Sequence, residues 1–331
     1  MKNIAERPNE KIIDLKEVRS IIEKRESLPE NKRIDPNDFR NSYIKLNVNG
    51  KEIDAFPLNM IKGDLEDVER MKKEIIDQKS QLSEFQINAN TVANFVEMAV
   101  PEAIKNLGWL GEDVKVIRPS LYDDYFNGVD NIIQMSSNEI LESGEKGKYI
   151  GLSIDFTISE DQSMGKVWDN ALLIAQGKMS QVKYFSTDIK TKHGIENVKI
   201  RDLQLPKIIM SCPHKILSKS QEDLLNFEKD SSDNDTREKA KDTVLKYHFI
   251  KETISQLKFF AEIAKRFKNI NAENSYNTSL NDFIELIREQ GITDEILDEK
   301  VGDIQSLSSR IDLDASDSLY IRMLRDVVKS K

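Results

Sequence analysis

The chain of 331 residues holds one cysteine, three histidines, eight prolines and 13 glycines. A lone Cys212 excludes a disulfide framework, and so few cysteines and histidines argue against a Cys/His zinc site. The low proline and glycine content excludes collagen-like or Gly/Pro-rich low complexity. Nowhere do the ~20 continuous apolar residues of a membrane-spanning helix occur. Met1 to Pro8 lacks the apolar core of a signal peptide, so with one cysteine the expected compartment is a reducing cytoplasm. A positive excess is also missing: 49 Lys+Arg stand against 58 Asp+Glu, a net charge of −9. That lowers the expectation of a protein that coats nucleic acid, whose affinity comes from neutralising phosphates. It does not exclude an enzyme that places carboxylates locally for metal ions. Hydrophobic residues make up 38% and charged residues 32%, which predicts one sizeable core with helical, charged flanks around a compact middle.

The pattern along the chain divides it into three segments. Residues 1–87 form an N-terminal helical extension with a β-hairpin. Leu15, Val18, Ile21 and Ile22 share one helical face, and Asn49-Gly50 between 43–48 and 51–56 is the pair a type I′ turn favours. A helix over 63–85 follows, with Leu65, Val68, Met71 and Ile75 at three- and four-residue steps. Residues 88–215 form an α/β core. A helix from Asn90 to Leu107 contains Pro101, which either kinks it or begins a new turn. Strands follow at 114–117, 128–134 and 149–158, then a helix at 164–177, then strands at 181–185 and 205–211. The strand–helix–strand order predicts a crossover unit. Residues 216–331 form a C-terminal helical region, with a loop at 229–235, one long helix over 236–268 and weakly packed charged helices in the last 40 residues. The helices over 63–85 and 236–268 could pack over the sheet or mediate a homodimer.

The chemistry-bearing residues lie in the middle segment. Gly128-Val129-Asp130 leads into apolar Asn131-Ile132-Ile133, and Asp155 sits inside Ile154-Asp155-Phe156-Thr157. A carboxylate inside a β-branched strand is costly to bury without a partner, which points to a metal, a cation or a functional pocket. Two neighbouring strands that each contribute an aspartate suit the oxygen ligation of Mg²⁺. Asp123 and Asp124 follow Ser120 and suit a turn or helix start. His193, His214 and His248 lack metal-ligand spacing and are expected in structural or surface roles. Cys212 beside His214 makes a poor dyad, because near-adjacent residues seldom face each other. Gly144-Glu145-Lys146-Gly147-Lys148 lacks the P-loop pattern and is expected to be a hairpin turn. Trp109 and Trp168 are expected as core or rim aromatics.

These segments resemble the core of the PD-(D/E)XK nuclease superfamily over residues 90–212. The resemblance implies a restriction-endonuclease-like mixed central sheet flanked by helices, with helical N- and C-terminal extensions. It implies that Asp130 matches the first motif aspartate and Asp155 the second acidic position. Glu97 matches the glutamate of the preceding helix, with Glu102 as the alternative. Thr157 stands where that family has lysine, and Lys166 or Lys183 is the candidate to supply the missing ammonium. The activity implied is hydrolysis of DNA or RNA phosphodiester bonds, with Mg²⁺ or Mn²⁺ held by Asp130, Asp155 and Glu97. The absent motif lysine leaves open a non-catalytic member of the same fold that acts as an interaction or assembly protein.

Overall fold

The computed structural model describes residues 15–28, 32–40, 45–48, 51–136, 149–157, 160–191 and 194–302. The expected turns at 49–50 and 144–148, His193, and the expected charged helices over 303–331 lie outside them. Within them the chain is mixed α/β.

Helix α1 (Leu15–Glu26) buries Val18, Ile21 and Ile22, as its periodicity predicts. Strands β1 (Lys45–Val48) and β2 (Lys51–Asp54) pair antiparallel. Helix α2 (Leu58–Lys79) ends six residues before the predicted limit. Ser83 then starts helix α3 (Glu84–Leu107) with a capping box: its side chain accepts from Gln86 N while the Gln86 side chain accepts from Ser83 N. Such a cap satisfies two backbone N–H groups that a helix start leaves open, which places the break here. Helix α3 runs through Pro101 rather than ending there.

The central sheet has strand order β3-β4-β5-β8. Strands β3 (Lys115–Ile117), β4 (Asn131–Ser136) and β5 (Tyr149–Thr157) are antiparallel neighbours, and β8 (Lys207–Ser211) lies parallel to β5. Helix α4 (Leu121–Asn127) interrupts the path from β3 to β4. Helix α5 (Glu160–Ala175) carries the crossover from β5. The strand after α5 does not join this sheet. Strand β6 (Ser180–Thr191) pairs instead with β7 (Gly194–Leu205) as a separate antiparallel ribbon. In β7 the alternation of Val198 and Ile200 shifts phase at Asp202, whose φ is 53°, before Leu203 and Leu205, and sequence reading reached only Leu205.

Alternation along β5 sends Leu152, Ile154 and Phe156 into the main core and Ser153, Asp155 and Thr157 to the opposite face. The main core is not confined to the middle segment. It joins residues of α1, α3 and the sheet to those of the C-terminal helices. These are α6 (His214–Lys229), α7 (Asn234–Lys241), α8 (Val244–Arg266), α9 (Ile270–Glu289) and α10 (Asp294–Val301). The single helix expected over 236–268 is two helices, broken at Asp242-Thr243. Helix α8 buries 15 of its 23 residues and so lies inside the molecule rather than on a charged flank. In α10, Leu297 and Val301 are buried as well, so this helix is packed rather than loosely attached.

Helices α8 and α9 also close the open edge of β8. The Gln256 side chain accepts from Ile209 N (2.9 Å) and donates to Ile209 O (2.7 Å). Tyr276 Oη accepts from Lys207 N (3.1 Å), and His248 Nε2 lies 2.8 Å from Ser211 O. These side chains take the place of a further strand along alternate residues. They satisfy buried backbone groups and block edge-to-edge pairing.

A second cluster holds the N-terminal segment to the ribbon. Phe39, Phe56 and Tyr184 pack together with ring centroids 4.6–6.1 Å apart.

Candidate metal centre

The site begins at a proline. Pro101 has no N–H, so it cannot donate to the carbonyl four residues back, which is that of Glu97. Asn131, at the start of β4, takes over: its Nδ2 donates to Glu97 O at 3.4 Å. Helix α3 is thus tied to the strand at the turn that carries the Glu97 side chain. Asp130 immediately precedes that strand. Its N–H donates to Ile154 O (2.9 Å), and its carboxylate accepts from Phe156 N (2.6 Å). Asp130 is therefore locked to the β5 backbone on either side of Asp155.

Asp124 arrives by a different route. Ser120 caps α4 by accepting from Asp123 N, and Gly128 ends the helix in the left-handed region at φ 58°. That short helix and its glycine turn fold Asp124 back onto Asp130. Carboxylate oxygens of Glu97, Asp124 and Asp130 all lie within 4.8 Å of one another. Crowded and buried carboxyls resist ionisation. Burial, and then the charge of Asp124, push the Glu97 carboxyl up to about 7. Asp130 is held well above the usual carboxylate range, first by burial and then by Glu97, Asp155 and Asp124. Asp124 is raised too, chiefly by burial.

Two guanidinium groups face this cluster. Arg33 Nη2 lies 2.9 Å from Asp124 Oδ2 and 3.7 Å from Glu97 Oε1. Ile34 N donates to Arg118 O (3.1 Å), which seats the Arg33 segment on the end of β3. Burial, followed by the neighbouring Arg33 charge, lowers the Arg118 pKa from its ordinary value.

Asp155 is 4% exposed and turns to cations rather than into the acid cluster. Lys166, from α5, pairs with its Oδ1, and Lys207 Nζ lies 3.0 Å from its Oδ2. Gly128 makes room for this arrangement: a Cβ there would lie 2.9 Å from Lys207 Nζ and 3.3 Å from Asp155 Oδ2. Thr157 is buried two residues further along the same face of β5.

The residues singled out from sequence therefore separate. Glu97 and Asp130 come together, with Asp155 and Lys166 adjoining them. Glu102 lies elsewhere, in an ion cluster with Arg25 and Glu228. Lys183 is also displaced, because β6 belongs to the ribbon and not to the central sheet. Its Nζ lies 2.7 Å from Asp64 and 4.4 Å from the Tyr122 ring centroid. Two members were missed. Asp124 was read with Asp123 as a helix-start doublet, although only Asp123 is consumed structurally. Lys207 was overlooked because the partner strand of a parallel crossover is not the next strand in sequence. The Ile-rich stretch after Lys207 marks it as a buried strand and was the available signal.

Two other residues singled out from sequence are buried. Cys212 is fully buried, and burial pushes its thiol up to about 12, far from a reactive thiolate. Trp109 is buried and donates to Ala240 O.

An all-oxygen donor set suits Mg²⁺ or Mn²⁺ better than a softer ion. Bonds of ~2.1 Å need ligand oxygens no more than about 4.2 Å apart, and the three carboxylates, with oxygens within 4.8 Å of one another, lie close to that spacing. No protein-family model matches the chain, and neither a curated protein nor a solved structure matches it.

Proposed function

We propose that the chain is a Mg²⁺- or Mn²⁺-dependent nuclease that hydrolyses phosphodiester bonds of DNA or RNA on a PD-(D/E)XK-like core. The observation that carries this reading is the convergence of Glu97, Asp124 and Asp130 beside Asp155 and its two lysines. The order of elements supports it: the helix bearing Glu97, three antiparallel strands, the α5 crossover and a parallel fourth strand. Glu97, Asp124 and Asp130 would hold the ion, in place of the set Glu97, Asp130 and Asp155 expected from sequence. A bound divalent ion would supply a water of lowered pKa and neutralise charge growing on the phosphate oxygens. Lys166 and Lys207 would do the work of the motif lysine absent at Thr157. Each ammonium is held by Asp155 and keeps donors free for a phosphate oxygen. Asp130, fixed by Phe156 N, would keep its free oxygen aimed at the ion.

Wild type and Asp155→Ala are to be compared on plasmid, single-stranded DNA and RNA in Mg²⁺. Cleavage by wild type with loss in the variant is expected; equal rates would sink the assignment. One observation favours a non-catalytic protein of the same fold. Arg33 pairs with Asp124 and lies 3.7 Å from Glu97, so the protein itself meets part of the cluster's charge. Calorimetric titration separates the two readings, since that protein would bind no Mg²⁺ that Asp130→Asn abolishes.

A further inference from the structure

Lys166 and Lys207 also line a cavity of about 580 Å³, within the ~300–1,000 Å³ range of small-molecule sites. Its wall contains three lysines against one aspartate, a set of carboxamides and one aromatic ring. Phe126, on α4, is 38% exposed and stands at 4.9 Å from the Tyr122 ring, which braces it from behind. Two lining residues, Asn170 and Ser180, also carry polar atoms without partners, but these atoms lie beneath the wall and out of reach of the cavity. Asn170 and Ser180 are each 5% exposed, and among the described residues neither Asn170 Oδ1 nor Ser180 Oγ has a hydrogen-bond partner. The Asn170 amide nitrogen donates to Tyr276 Oη and Lys207 O, which fixes this part of the wall. Gln181 and Gln204 add exposed amides at the rim.

Resting on the phosphodiester reading, we propose that this cavity receives one unpaired nucleotide of a single-stranded polynucleotide. The base lies against Phe126, its polar edge meets the Gln181 and Gln204 amides at the rim, and its phosphate reaches Lys166 and Lys207 beside the acid cluster. An aromatic face, carboxamides and lysines together match an unpaired nucleotide. A base paired within a duplex has neither a free face nor a free edge for this cavity. The strand therefore enters single-stranded, whether its sugar is ribose or deoxyribose.

The test uses fluorescein-labelled 12-nucleotide DNA and RNA strands and a duplex of the same sequence, with anisotropy read in EDTA so that nothing is cut. Wild type is expected to bind at least one of the single strands more tightly than the duplex, and the two single-strand arms identify the sugar preferred. Phe126→Ala is expected to weaken single-strand binding by about tenfold or more. Gln204→Ala is expected to weaken it roughly two- to tenfold without lowering the melting temperature, because the Gln204 side chain is exposed. Equal binding by wild type and both variants, or preference for the duplex, would overturn the proposal. Cleavage in Mg²⁺ is scored separately. Binding that behaves as expected with no cleavage refutes the nuclease and leaves the cavity assignment standing. Cleavage that both variants share with wild type, with unchanged binding, refutes the cavity and leaves the nuclease.

Discussion

Lys207 and Asp155 sit on neighbouring parallel strands, two positions apart in register, with Lys207 Nζ 3.0 Å from Asp155 Oδ2. Lys207 is held from behind by Tyr276, whose hydroxyl accepts its N–H, so a C-terminal helix sets the position of an ammonium in the candidate site. The pair is buried, and removing one member of such a pair leaves a charge short of a partner.

Lys207→Met should therefore lower the melting temperature, though by less than the ~3–5 kcal/mol of a fully broken pair, because Lys166 still contacts Asp155. Asp155→Asn combined with Lys207→Met should be less destabilising than the sum of the single changes by about 1 kcal/mol or more. Denaturant unfolding of the four proteins measures this coupling, and strict additivity would mean the contact is energetically idle. Single-turnover cleavage by Lys207→Met should fall about 100-fold.

Asp123 and Asp124 are adjacent and should behave oppositely. Asp123 is fully buried and accepts from Ser120 Oγ, Asn127 Nδ2, Lys183 N and Tyr184 N. Asp123→Ala strands two backbone N–H groups of β6 and should cost roughly 3 kcal/mol or more. Asp124→Asn should melt close to wild type, yet lose about tenfold or more in Mn²⁺ affinity by calorimetry. Unchanged affinity would remove Asp124 from the metal set.

The pH dependence follows from Glu97. Its carboxyl rises from 4.5 to about 7 on folding, so between those values the folded state holds more protons than the unfolded one. Stability from this group is complete below about 4.5 and is lost as pH climbs through about 7. Glu97→Gln never ionises, so its melting temperature relative to wild type should increase from pH 5 to pH 8 in EDTA. Mg²⁺ at pH 8 should raise the wild-type melting temperature and leave the variant's nearly unmoved. A difference that is flat with pH would contradict the assignment.

Gln256 tests the closure of the sheet edge. Gln256→Ala leaves Ile209 N–H and C=O buried without partners, a loss of roughly 1–3 kcal/mol for each group. Faster hydrogen exchange at the Ile209 amide should accompany the lower stability. Unchanged exchange would show that β8 does not depend on α8 for its edge.

Local pattern was enough to locate much of this protein. Alternation and apolar runs placed β3, β4, β5 and β8, and periodicity placed α1, α3 and α5, because side-chain period is a property of a few consecutive residues. The cost of a carboxylate in or beside an apolar strand was enough to single out Asp155 and Asp130, while Glu97 was named only through the resemblance to a known nuclease core. Tertiary structure alone decided which of these residues meet. It set β6 apart in a ribbon and brought β8 against β5, so Lys207 and not Lys183 faces Asp155. The turn at Gly128 carried Asp124 to Asp130, and the helices after residue 215 became part of the core that fixes Lys207. Such pairings depend on strand order and long-range packing, which are set by how whole elements cover one another's apolar faces and not by the residues within any one of them.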